Sequence, residues 1–253
     1  MNLKSLKSGS KGNASLVYTD STKILVDCGI SGKAVKSGME SIGLEPGMLD
    51  AIVITHEHSD HIKGIGVMMR RYNIPVYANS ATWAAAMRND LGRLNDDNIK
   101  IFEGTEPFVI GDINVSPFEI PHDAACPVGY SFDDGHSRAA VATDMGMLTE
   151  SVFRAIGGCR DILLEANHDL NMLEIGPYPY PLKQRIRGSY GHLSNDDAAK
   201  AAELLVRMGA ENIVLGHLSE ENNYPRLAYE TVRAGLAAAG INAGGDMTLS
   251  VAV

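Results

Sequence analysis

The segment His56-Glu57-His58-Ser59-Asp60-His61 places three histidines, a glutamate and an aspartate in six consecutive positions, directly after the apolar run "AIVI". Neutral imidazoles and a carboxylate are ligands for zinc and related first-row divalent ions. A tight turn after a strand aims such side chains at two neighbouring sites, so this one loop can seed a two-metal centre. The competing reading is a polar loop whose histidines satisfy one another, and histidine is otherwise sparse, with eight in 253 residues. Two ions ~3.5–4 Å apart would let a bridging water ionise near neutral pH and would take up charge on an attacked phosphate, with no covalent nucleophile. Further along, His122 lies in "EIPHDA" just after an apolar strand, Asp144 ends "AAVATD" and His217 ends "NIVLGH". From loops at strand ends, all three can reach one sheet edge. Each alone reads equally as a solvated loop residue.

The elements that must position these groups follow from pattern. "ASLVYT" and "KILVDCG" predict two neighbouring strands parted by "DST", and "GKAVKSGMESIG" predicts a helix closed by Gly43. "LDAIVIT" predicts a buried strand, "IKGIGVMMRRY" a helix, "IPVYAN" a strand, and "SATWAAAMRNDLG" a helix capped by Ser80. Short segments from "KIFE" through "SRAAVATD", divided by Gly, Pro and Asp, predict a β-rich middle. "DILLEA" and "NIVLG" then alternate with the helical "NDDAAKAAELLVRMG" and "RLAYETVRAGLAAAG". Two mixed halves predict a layered α/β/β/α arrangement. No linker or low-complexity tract and no repeat of about 20–50 residues interrupts it, so residues 1–253 are expected to form one domain.

With 45% hydrophobic and 21% charged residues, the composition is that of a soluble globular chain. The net charge of −9 disfavours broad electrostatic binding to nucleic acid, although a local basic face or bound cations can offset it. Three cysteines, Cys28, Cys126 and Cys159, fit a reducing compartment better than a disulfide framework. The N-terminal "MNLKSLKSGSKGN" has no apolar core of a leader, and no run is long enough for a membrane span. A cytoplasmic protein is expected, with no membrane partner.

"THEHSDH", with "LVDCG" upstream and the isolated His, Asp and His downstream, resembles the metallo-β-lactamase superfamily, whose fold is an α+β, four-layer αββα sandwich with metals at one edge. "SGSKGN", "HDAACPVGYSF", "ATDMG", "LLEANHD", "YGHLSN" and "LGHLSEENN" resemble its YycJ/WalJ-like branch, related to RNase Z and PhnP-type phosphodiesterases. The resemblance spans the whole chain. It implies one ion on His56, His58 and His122, a second on Asp60, His61 and His217, and Asp144 bridging both. Zinc is the expected metal, with manganese or iron also suited to these donors. The resemblance makes Asp60 also the acceptor of the attacking water's proton, and gives His192 the role of the histidine that contacts the scissile phosphate. Asp27 resembles an aspartate that orients a metal-binding loop from behind, with a plain strand-end aspartate as the alternative.

Four further features are open between function and structure. Glu165 and His168 in "LLEANHD" suit a contact behind the ligands or with substrate, or a structural role. His136 in "DDGHSR" reads as a hairpin-turn residue. Lys183, Arg185 and Arg187 form either a cation face for a nucleic-acid backbone or a solvated face. Gly9, Ser10, Gly12 and Asn13 bring backbone N–H groups to a phosphate or merely form a Gly-rich turn.

The branch implies a dinuclear phosphodiester hydrolase acting on double-stranded DNA as a 5′-to-3′ exonuclease. The segment between Asp144 and His217 is too short for the insert of RNase J-like nucleases, and no RNase Z-type exosite arm is evident. A small-molecule phosphodiesterase, a thioesterase of the same fold, or a metal-dependent regulatory module without catalysis are the alternatives.

Overall fold

The computed structural model describes residues 1–252. The first half builds a six-stranded sheet in chain order: β1 (Asn2–Lys7), β2 (Ala14–Tyr18), β3 (Lys23–Val26), β4 (Ala51–Val53), β5 (Val76–Asn79) and β6 (Ile99–Phe102). Its first three strands pair antiparallel, and β3 to β6 run parallel. Helices α1 (Gly32–Glu40), α2 (Ser59–Ile62), α3 (Ile65–Tyr72) and α4 (Ser80–Ala86) lie in its crossovers.

The second half mirrors this plan. β7 (Phe108–Ile110), β8 (Ile113–Glu119), β9 (Val128–Asp133) and β10 (Arg138–Ala142) meander antiparallel, and β11 (Asp161–Glu165), β12 (Asn212–Gly216) and β13 (Thr248–Val251) continue parallel. Helices α5 (Glu150–Ile156), α6 (Leu170–Ile175), α7 (Tyr180–Arg187), α8 (Asn195–Arg207) and α9 (Pro225–Ala238) complete it.

Alternation along the strands produces the four layers. In β3 and β4, Ile24, Val26, Ala51 and Val53 enter a core shared with Val115, Tyr130 and Phe132 of the other sheet. Leu25 and Ile52 turn the other way, onto Val35, Met39, Ile65 and Met68 of the helices. Leu163 likewise faces the inter-sheet core, while Ile162 and Leu164 pack under Ala202, Leu205 and Val232. Strands buried on both faces have no polar side to display, which is why they read as unbroken apolar runs.

Several expected boundaries move. The cap of α4 is Asn79, whose Oδ1 accepts from the Thr82 N–H at 2.8 Å; the expected cap, Ser80, is the first helical residue. The chain is still extended at Asn79, and a cap must stand where the backbone leaves that conformation. The predicted helix from Ile62 divides into α2 and α3 at Lys63–Gly64. Strands β1 and β13 and helices α5, α6 and α7 have no counterpart in the sequence reading. All three cysteines are free, Cys28 and Cys159 buried. No helix of the described residues is long and apolar enough to cross a membrane.

Candidate metal centre

The loop after β4 is held in place by backbone contacts. The Asn13 N–H donates to the Asp60 carbonyl and the Cys28 N–H to that of His61, both at 2.8 Å. A β-carbon at Gly29 would fall 1.4 Å from the Asp60 carbonyl oxygen, so only glycine lets the two loops approach this closely. Thr55 stands at the turn itself. Its N–H and hydroxyl both donate to Asp27, so its oxygen is left to accept from His56 Nδ1 at 3.0 Å.

These contacts fix the tautomers. A carboxylate only accepts, so His61 donates Nδ1–H to Asp27 at 2.8 Å, and His217 and His192 donate theirs to Glu165 Oε1 at 3.0 and 2.8 Å. The His122 Nδ1–H points at the Gly191 carbonyl, 3.3 Å away. His56 and His122 are therefore left with an unprotonated Nε2, and His61 and His217 turn an Nε2 into the cluster that a proton or a metal can occupy; His56 Nε2 lies 3.0 Å from His58 Nδ1.

The free atoms converge. Ligand atoms of His56, His58 and His122 lie within 4.8 Å of one another, as do those of Asp60, His61 and His217. Asp144 reaches towards both sets: Oδ2 is 3.5 Å from His61 Nε2, and Oδ1 is 3.3 Å from His217 Nε2 and 3.8 Å from His122 Nε2. Ligands about 2.1 Å from a tetrahedral zinc stand about 3.4 Å apart, the spacing found here. Asp144 Oδ2 and His217 Nε2 are buried with no hydrogen-bond partner. Four carboxylates, those of Asp27, Asp60, Asp144 and Glu165, surround neutral-capable imidazoles, a charge that two divalent cations would balance. On these observations the residues present fit a pair of metal ions.

Electrostatics agree with that division. Burial, and then the imidazoles of His61, His58 and His122, hold His56 well below the usual histidine range. Burial also lowers His122. Burial opposes charge on His217 too, but Asp144, Asp60 and Glu165 outweigh it and raise the ring to about 10. His61 is raised against burial by Asp144 and Asp27. Against burial, His217 and His61 hold the Asp60 and Asp144 carboxyls below the carboxylate range. The second set thus demands positive charge, which a proton or a metal satisfies.

The backbone is strained where these groups sit. Among the described residues four non-glycines have positive φ, and three are Asp27 (60°), Asp144 (60°) and His217 (56°), each just past the end of a strand. The left-handed turn costs on the order of 1–3 kcal/mol per residue and persists only where the surroundings impose it. Ser8 helps at His217, accepting its N–H at 2.7 Å, and Asn167 donates to its carbonyl at 2.9 Å.

A cavity of about 250 Å³ opens on this cluster. His58, Asp60, His122, Asp144, His192 and His217 line it. Tyr178, Leu182, Arg185 and Ile186, from α7 and the turn before it, also line it, as do Ser10 and Ser219.

Other expected contacts are placed differently. Asn13 is buried behind the ligands, its amide 3.0 Å from His61 Nε2 and 3.3 Å from Asp60 Oδ2, so it steadies those residues and does not face a phosphate. Lys183, Arg185 and Arg187 do not form one face. Alternate residues diverge on a 3.6-residue helix, and only Arg185 lines the cavity, paired with Asp123. Lys183 donates to the Glu174 carbonyl, and Arg187 pairs with the Glu174 carboxylate. His168 makes no hydrogen bond to a ligand: its ring is buried, which lowers it to about 4, and its carbonyl accepts the Asn195 N–H that opens α8. Glu165 lies directly behind His192 and His217. His136 sits in the β9–β10 turn.

Thr55, Ser8 and Asn167 escaped the sequence reading. Thr55 carried a signal, a hydroxyl between a buried strand and the first histidine; Ser8 and Asn167 lie within "SGSKGN" and "LLEANHD", but their contacts with the distant His217 left no local mark.

A model of the β-lactamase superfamily domain matches residues 22–218. The exodeoxyribonuclease WalJ of Streptococcus pneumoniae is 42% identical over 243 residues, covering 95% of this chain and 90% of that protein. The exodeoxyribonuclease YycJ of Bacillus anthracis is 41% identical over 239 residues, covering 94% and 90%. Among solved structures, the metallo-β-lactamase fold protein YhfI from Bacillus subtilis superposes with a TM-score of 0.73 at 17% identity, covering 99% of this chain and 95% of its own.

Proposed function

This chain belongs to the metallo-β-lactamase superfamily, on the branch of the WalJ and YycJ exodeoxyribonucleases, and we propose that it hydrolyses phosphodiester bonds of DNA, as a 5′-to-3′ exonuclease that uses two divalent metal ions. His56, His58 and His122 would hold one ion, Asp60, His61 and His217 the other, with Asp144 between them. Zinc is our first assignment, and manganese or iron suits the same nitrogen and oxygen donors. When bound, the ions supply an acidified water and positive charge against the phosphate.

The remaining work falls to side chains. Asp60, ionised and at the cavity edge, accepts the attacking water's proton. Glu165 holds the His192 Nδ1–H at 2.8 Å, which leaves Nε2 to meet the phosphoryl or leaving oxygen. That His192–Glu165 pair beside the ligand set is the observation that carries the reading. A sugar alkoxide is a poor leaving group and gains from a proton donor, whereas a thiolate departs without one. The three free thiols support a cytoplasmic location.

The test offers metal-loaded protein bis(p-nitrophenyl) phosphate and a glutathione thioester side by side, with and without chelator. Chelator-sensitive turnover of the phosphodiester, with little of the thioester, is expected. The reverse preference makes the protein a thioesterase of this fold.

A further inference from the structure

Ser219 lines two cavities. One is the metal-facing cavity described above; the other, of about 370 Å³, lies across the Gly9–Lys11 and Leu218–Glu220 loops and is lined by Lys7, Lys11, Leu218, Tyr224 and Pro225. Ser10 faces the first cavity while its neighbours Gly9 and Lys11 face the second, so the two loops form a saddle between them. We propose that this second cavity holds the nucleotide next to the scissile phosphodiester, so that the strand being cut, at the end of a duplex included, is unpaired where it crosses from the metal cluster over the saddle. The inference rests on the phosphodiesterase reading.

Three features favour that occupant. Leu218 and Pro225 give an apolar surface beside Tyr224, which is 50% exposed. An aromatic ring with cations around it is what a base and its flanking phosphate require, and it serves any base because each has a π-face. Lys7 has no salt-bridge partner among the described residues, and Lys11 is held only by Glu220, in a pair whose side chains are 76% and 50% exposed. Such an exposed pair contributes little, so Lys11 exchanges the carboxylate for a phosphate at small cost. In a chain of net charge −9, the attraction has to be local, and it is placed beside the cluster that cuts. A base stacked in a duplex cannot enter such a cavity; an unpaired one can.

The test measures binding of a fluorescein-labelled, phosphorothioate-linked decathymidylate to the metal-loaded protein by anisotropy. Tyr224→Ala is expected to raise Kd by roughly 5- to 150-fold, the span of one base stacked on one ring, and Tyr224→Phe by less than about twofold. Turnover of p-nitrophenyl methyl phosphate, whose methyl group cannot fill the cavity, is expected to be the same in wild type and Tyr224→Ala. Lys7→Ala should flatten the dependence of log Kd on log salt by about 0.7, one phosphate contact. Unchanged affinity in Tyr224→Ala, an equal loss in Tyr224→Phe, or a parallel loss on the small ester overturns the proposal. If wild-type protein binds the strand through Tyr224 but turns over no phosphodiester, the cavity assignment stands and the hydrolase reading fails.

Discussion

With His192 replaced by alanine, kcat on a phosphodiester is expected to fall by about 10²–10⁴-fold, the range for a general acid or a group that stabilises developing charge, while the protein keeps both metal equivalents. The separation follows from geometry. His192 spends Nδ1 on Glu165, and that nitrogen is 4.0 Å from Asp144 Oδ1, outside the two sets of three ligand atoms that Asp144 joins. Removing the ring should also leave the fold intact, because the neighbouring Leu193 N–H still donates to Glu165. KM should change little if the contact forms mainly in the transition state. Elemental analysis of the variant decides the point: loss of one equivalent would make His192 a ligand, since its atoms also lie within reach of Asp144, Glu165 and His217. Unchanged kinetics would remove the argument that separates a phosphodiesterase from a thioesterase.

Asp144→Asn is expected to cost more in metal than in fold. Wild-type protein loaded with zinc should carry two equivalents per chain, and the variant one or none, because the one carboxylate among the described residues that approaches both ligand sets has lost its charge. Asparagine is the informative replacement: it tolerates the left-handed backbone at φ 60° and has nearly the same shape, so it isolates the charge from strain. Activity should fall by at least the ~10²–10³-fold that loss of one electrostatic stabiliser costs. Two retained equivalents with kcat within about tenfold of wild type would mean that Asp144 does not hold the ions together.

The centre was legible where chemistry overrode pattern. Five metal-capable side chains in six, after a strand buried on both faces, have no structural economy, and His122, Asp144 and His217 each follow an apolar run. The sandwich was legible because strands such as β3, β4 and β11 are apolar on both faces. Strand β1 was not: its residues are exposed or half-buried at the sheet edge, so "NLKSLK" carries no apolar stripe. Helix α7 buries no residue, and its two large aliphatic side chains, Leu182 and Ile186, line the cavity with Tyr178 of the preceding turn instead of entering a core, so it carried no core-facing stripe. Reading Lys183, Arg185 and Arg187 as one face failed for the same reason, since a helix not foreseen there sends alternate residues apart. The role of Asn13 was hidden because its partners, Asp60 and His61, are 47 and 48 residues away.

The most direct measurement follows metal-loaded protein acting on duplex DNA labelled at the 5′ end of one strand or, separately, at the 3′ end. Release of the 5′ label as a mononucleotide, with the 3′ label kept on progressively shorter strands and both stopped by chelator, is the predicted result. No release from either label by protein that carries two metal equivalents, or internal cuts alone, would contradict it.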